Sequence, residues 1–254
     1  MDASPEKKPV LRINSGEGQI LPVTIEWQGE QAFTLVAPPA IDTPTHVVIR
    51  RLFHQLQQAS FSYITDLIPA YHTLTIVFDA TLLPTDHSRK SPGNQVLQKI
   101  IQYLSASNEA VKEESRMLRI PVCYHSSLAP DLHSLAEHLQ LPTDELIGIH
   151  VATTYRVFML GFLPGFAYLG PVDERIVAPR HTRPRSDVPA GSVGIAGAQT
   201  GIYPIQSPGG WQLIGRTPLQ LFTPHQLPPC LLQPGDEVVM YPISLDEFNQ
   251  WPTT

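Results

Sequence analysis

The sequence predicts an α+β protein in two parts: a small N-terminal α+β domain, residues 1–110, followed by a β-barrel domain, residues 117–254. Three observations lead there. Strand-like and helical-period segments alternate in the first half. Short apolar runs broken by glycine and proline fill the second half. A polar run, Ser105 to Arg116 (SASNEAVKEESR), lies between them. Proline occurs 26 times, roughly twice the average usage, and is densest from Leu163 to Thr223. That composition suits short strands joined by tight turns.

The first fifteen residues are polar and are expected to fray. Gln19 to Trp27 (QILPVTIEW) and Phe33 to Val36 read as strands. Thr43 to Ala59 reads as a helix, because Val47, Val48, Leu52 and Leu56 recur at helical spacing, with Thr43 or Thr45 as its cap. Tyr63 to Ile68 and Thr73 to Phe78 read as strands about a turn at Pro69–His72. Ala80 to Asn94 is a polar, proline-containing loop, and Gln95 to Glu113 is a second helix striped by Val96, Ile100, Ile101 and Leu104. The order β, α, β, β, α is expected to give a ferredoxin-like layer, with helices on one face of an antiparallel sheet.

In the second half, Leu118 to Tyr124 (LRIPVCY) reads as a strand, and Asp131 to Leu139 and Thr143 to His150 read as short helices. Thr143 is the expected cap of the latter, with Asp144 and Glu145 suiting the positive end of the helix dipole. From Tyr155 onward the runs YRVFMLG, SVGIAG, GIYPI, WQLIG, LQLF and EVVMY carry a barrel or sandwich signature. Ser244 and Glu247 have capping-box spacing, which predicts a final helical turn over Ser244 to Gln250.

Composition narrows the function. A chain of 254 residues with 42% hydrophobic residues is long enough for two cores. A net charge of −6 argues against a general nucleic-acid surface. Two distant cysteines, Cys123 and Cys230, cannot build a disulfide framework, and the polar start MDASPEKKPV is no signal peptide. With no long apolar window, a soluble cytoplasmic protein is expected. There is no GxxxxGK[ST] loop, no HExxH and no GxSxG elbow. His133 and His138 miss the i, i+4 zinc spacing, so no metal is expected, and His150 reads as structural.

Three segments are dense enough to carry chemistry. Met159 to Gly170 (MLGFLPGFAYLG) offers Phe162 and Phe166 for stacking on a planar substrate; the same residues equally suit a tight turn with aromatic packing. Ala178 to Ala198 gathers Arg180, His181, Arg183 and Arg185, whose guanidinium forks fit carboxylates or phosphates, or else a solvated loop of surface ion pairs. Gln199 to Arg216 offers Gln199, Thr200, Tyr203, Gln206 and Ser207 as neutral donors and acceptors, with Arg216 as a charge. Such a set suits an amide substrate better than a metal, although a hairpin with outward polar residues would look the same.

At these residues the chain is identified as a member of the allophanate-hydrolase-subunit-1 family, which includes the sporulation kinase inhibitor KipI and the B subunit of prokaryotic 5-oxoprolinase. MLGFLPGFAYLG, then the PR and RPR of the arginine segment, then VPAGSVGIAGAQTGIYPIQSPGGWQLIGRTPLQLF match in order, from about Ile120 to Phe222. The segments IPVCY at Ile120 and PAYHTLTIVFD at Pro69 also resemble the family. Ala167 and Ala198 stand where the family often has proline and glycine.

The resemblance implies a cyclophilin-like barrel and a partner of the C-type (allophanate hydrolase subunit 2-like), with a LamB/YcsF-type subunit completing the enzyme. Self-association is a further expectation. The implied reaction opens 5-oxoproline to L-glutamate with ATP, and Mg, acting at the level of the complex and this chain inactive alone. ATP would activate the unreactive lactam carbonyl by phosphorylation. On this reading Arg180, Arg183, Arg185 and Arg216 stabilise developing charge, while Gln199, Thr200, Tyr203, Ser207, Phe162 and Phe166 hold the ring. The resemblance also admits a KipI-like inhibitor of a sensor histidine kinase and an allophanate or urea-amide hydrolase component. Prolyl isomerisation rests on fold analogy alone.

Overall fold

The computed structural model describes residues 10–14, 20–83, 90–106 and 115–252. They form two compact units, one drawn from the chain up to residue 113 and one from residue 114 onward.

In the first unit, β1 (Val10–Asn14), β2 (Ile20–Trp27), β3 (Ala32–Val36), β4 (Ile64–Pro69) and β5 (Thr73–Phe78) form an antiparallel sheet in the order β1-β2-β3-β5-β4. Period-two alternation buries Leu21, Val23 and Ile25 of β2 and Leu74, Ile76 and Phe78 of β5. Helices α1 (Thr43–Ala59) and α2 (Pro92–Ala106) bring Val48, Ile49, Leu52 and Leu56, and Val96, Ile100 and Leu104, to the same core.

Four sequence expectations are corrected here. Val10–Asn14 is an edge strand, held by its register with β2. The cap of α1 is Asp42, whose carboxylate accepts from Thr45 N at 2.9 Å; Thr43 and Thr45 lie inside the helix. Helix α2 begins at Pro92 rather than Gln95, since proline lacks only an N–H that the first helical turn leaves unused. The ferredoxin-like order is not reproduced: no described strand returns to the sheet after α2, and β2, arriving earlier through its hairpin with β3, fills the place beside β3. The expected end of α2 beyond residue 106, and residues 84–89 of the loop, lie outside the described residues.

The second unit is a closed barrel. Its strands are β6 (Met117–Cys123), β7 (Thr154–Leu160), β8 (Ala167–Gly170), β10 (Ser192–Ala196), β11 (Gln199–Ile202), β13 (Gln212–Arg216) and β14 (Glu237–Ile243). They run around it in the order β10-β11-β8-β7-β14-β6-β13. Only β6 and β14 pair in parallel. Closure decides between barrel and sandwich, and leaves β9 (Arg185–Val188) and β12 (Ser207–Gly209) as a separate two-stranded ribbon. Helices α3 (Leu132–His138) and α4 (Thr143–Ala152) pack against the barrel core through Leu132, Leu135, Leu146 and Ile149. Thr143 is the first helical residue rather than the cap; Pro142 precedes it, with no side-chain cap bond. At the chain's end α5 (Leu245–Asn249) has the expected capping box: Glu247 Oε2 accepts from Ser244 N at 2.7 Å, and Ser244 Oγ accepts from Glu247 N at 3.2 Å.

A neutral hydrogen-bond chain threads this core. Thr200 Oγ1 donates to Gly194 O at 3.0 Å, so it accepts from His150 Nε2–H, also 3.0 Å away. His150 Nδ1 is then the acceptor for Tyr124 OH at 2.8 Å. Every polar atom of the ring is satisfied without charge, and full burial lowers the His150 pKa to about 3. The unfolded chain takes up a proton near the ordinary value of 6.5 while the folded one does not. Stability is therefore expected to fall as pH drops from 6.5 towards 3, by up to about 1.4 kcal/mol per pH unit from this group. Urea midpoints measured from pH 7 to 4 check it: His150→Gln should lower stability at pH 7 and remove about one proton's worth of that slope.

Candidate functional site

Strand alternation in the barrel sends one set of side chains inward and leaves the other to build a second cluster outside. Val193, Ile195, Ile202, Leu169 and Ile214 join the main core. Ala196, Tyr168 and Leu213 face away and meet Phe166, Val188, Tyr203 and Trp211. Phe166 is the hub: its ring lies 4.8 Å from Tyr168, 5.1 Å from Tyr203 and 5.5 Å from Trp211, all edge-on. Gly201 permits this closeness, because a Cβ there would sit 2.9 Å from the Trp211 ring and 3.0 Å from that of Phe166. Burial pushes the Tyr168 and Tyr203 phenols up, so both stay neutral donors.

One side of this aromatic wall carries charge. Arg180 lies over Trp211, 5.7 Å from its centroid. Asp131, buried at the start of α3, accepts from Leu213 N at 2.7 Å through Oδ2 and from the Arg185 guanidinium through Oδ1. His181 Nε2 is 3.2 Å from the same Oδ2, and its backbone N–H donates to Gly210 O at 2.7 Å. Asp131 thus ties the arginine segment to β13.

A cleft of about 650 Å3 lies in the same unit, apart from the residues of the aromatic wall. Its walls come from Ala190 and Gly191, from Pro204 to Gln206, from Arg216 to Gln220 with Phe222, and from Phe248, Asn249 and Trp251 on and after α5. The aromatic loop adjoins it: a Cβ on Gly165 would lie 3.0 Å from Phe222 and 3.5 Å from Pro204. Phe162, at the tip, is 61% exposed and sits in the left-handed region at φ 69°, a strained conformation for a bulky residue. Arg216 Nε donates to Ala190 O at 2.7 Å, and its guanidinium faces the Phe248 ring 5.9 Å away.

The structure therefore divides residues that the sequence reading groups by role. Arg180 and Arg185 lie on the Trp211 side, Arg216 lies in the cleft, and Arg183 is exposed. Phe162 is open to solvent, whereas Phe166 and Tyr203 are spent on each other in the wall. Thr200 is fully buried in the His150 chain. Ser207 is buried in the ribbon, its hydroxyl on Pro208 O at 3.2 Å, and Gln199 is half-buried at the start of β11. Sequence reasoning missed Asp131, which only long-range pairing with β13 brings to the arginines. It also missed Phe248 and Trp251, although the capping box marked the helical turn that carries Phe248 and precedes Trp251. Among the described residues, no group of three His, Cys, Asp or Glu side chains is placed to hold a metal ion, and no helix is long and apolar enough to cross a membrane.

Comparison with known proteins gives concordant similarities. Residues 23–232 match the family model of the carboxyltransferase domain, subdomain C and D. The chain is 40% identical to the B subunit of 5-oxoprolinase from Bacillus subtilis over 231 residues, covering 89% of this chain and 95% of that protein. It is 38% identical to the B subunit of 5-oxoprolinase from Escherichia coli O157:H7, covering 84% and 93% respectively. The crystal structure of TTHA0988 superposes with a TM-score of 0.72 at 33% identity, over 84% of this chain; the match spans only 40% of the TTHA0988 chain.

Proposed function

The chain belongs to the family of the carboxyltransferase domain, subdomain C and D, and from that premise we propose that it is the B-type subunit of a 5-oxoprolinase. The carrying observation is the similarity to the Bacillus subtilis B subunit, which runs through both units and over nearly the whole of both proteins. On this reading the chain works in a multi-subunit complex that opens 5-oxoproline to L-glutamate at the expense of ATP. A C-type protein and a LamB/YcsF-type subunit complete the complex in the cytoplasm, and this chain is inactive by itself.

The geometry supports a binding role. The aromatic rings of Phe222, Phe248 and Trp251, the neutral side chains of Gln206, Gln220 and Asn249, and the Arg216 guanidinium line a cleft of small-molecule size. Among the described residues no group of three His, Cys, Asp or Glu side chains is placed to hold a metal ion, and Asp131 is already engaged by Leu213 N and Arg185. On this reading ATP and Mg act at the level of the complex.

Glutamate release from 5-oxoproline and ATP tests the reading, with this chain alone, the partners without it, and all together. Activity only in the full mixture is expected; no turnover with all partners folded and bound sinks it. In the active mixture, Arg216→Ala is expected to lower kcat/KM for 5-oxoproline by about tenfold or more. A smaller loss would remove Arg216 from the site.

A further inference from the structure

Arg216 is the charged group of the cleft. Its lining contains no Asp, Glu or Lys, and no carboxylate pairs with Arg216 among the described residues. Its Nε is committed to Ala190 O, which fixes the guanidinium plane and leaves the terminal N–H groups for a ligand. The Phe248 ring backs it, presented by the capped turn α5. Arg185, by contrast, is already neutralised by Asp131. In a chain of net charge −6, a half-buried, uncompensated cation in a small-molecule cleft is an anion receptor.

We propose that this cleft is the subsite for the carboxylate of the cyclic-amide substrate, with Arg216 forking the carboxylate, Phe248 and Trp251 covering the ring, and the Gln206 and Asn249 carboxamides within reach of its lactam edge. The assignment rests on the proposed function and adds to it where the substrate sits. A single guanidinium offers one bidentate fork, which matches a monoanionic carboxylate; a phosphate, with more charge and three oxygens, calls for further cations that this lining lacks. The role of Arg216 is thereby recognition of the acid group of the substrate rather than stabilisation of a transferring phosphoryl group.

Ligand-observed saturation-transfer NMR on the full chain tests this with 5-oxoproline, with 2-pyrrolidinone (the same ring without the carboxylate) and with inorganic phosphate as competitor. The expected result is 5-oxoproline binding about tenfold or more tighter than 2-pyrrolidinone. Arg216→Gln should erase that preference, Phe248→Ala should weaken both ligands, and phosphate should not displace 5-oxoproline at equal concentration. Phe248 lies on a terminal surface turn outside the barrel core, so its variant remains informative if Arg216→Gln fails to fold. No binding of 5-oxoproline, equal binding of the two rings, indifference to both substitutions, or displacement by phosphate overturns the subsite. If the full mixture is inactive while the chain still binds 5-oxoproline through Arg216, the functional reading falls and the subsite stands.

Discussion

Gly191→Ala is expected to unfold the barrel unit at temperatures the parent chain withstands. Gly191 has φ +81°, a conformation side chains rarely adopt, and a Cβ there would lie 2.2 Å from the carbonyl oxygen of Thr217. That oxygen cannot swing away cheaply, because Gly191 O accepts from Thr217 N at 2.9 Å and Gly191 N donates to Tyr203 O at 2.7 Å. The two bonds lock the turn before β10 between β13 and the aromatic wall. Backbone strain and overpacking together should cost about 3 kcal/mol or more. Gly197 is the control: it too has positive φ, at +58°, but nothing lies within 4 Å of its would-be Cβ. Gly197→Ala should cost only about 1 kcal/mol. Thermal unfolding followed by circular dichroism compares the pair, and equal losses would show that the Thr217 contact is unimportant.

Asp131→Ala should cost about 3–5 kcal/mol, measured by urea unfolding of the barrel unit. The carboxylate is 4% exposed and serves Leu213 N and Arg185 together. Removing it leaves a buried backbone N–H unpaired and strips a guanidinium whose Nη1 is already buried without a partner. It also releases the arginine segment from β13, so Arg180 should lose its position over Trp211. Asp131→Asn keeps an acceptor for Leu213 N but no charge for Arg185, and should fall between the two. A loss under about 1 kcal/mol for Asp131→Ala would mean that water replaces the carboxylate readily.

The sequence alone determined what depends on short-range pattern. Helix α1 runs from Thr43 to Ala59 as its apolar spacing predicts, and the Ser244–Glu247 capping box forms, because both rest on contacts within one or two turns. The glycine- and proline-punctuated runs after Tyr155 announced short strands, and the ordered motif from Met159 to Phe222 announced the family. What depends on closure was not legible. That β2 rather than a later strand fills the place beside β3, that Arg216 leaves the company of Arg180 and Arg185, and that Thr200 turns inward to His150 all follow from which strands pair. The reason is physical: period two fixes which residues share a face, but only the barrel's register and closure decide whether that face is core, aromatic wall or open cleft.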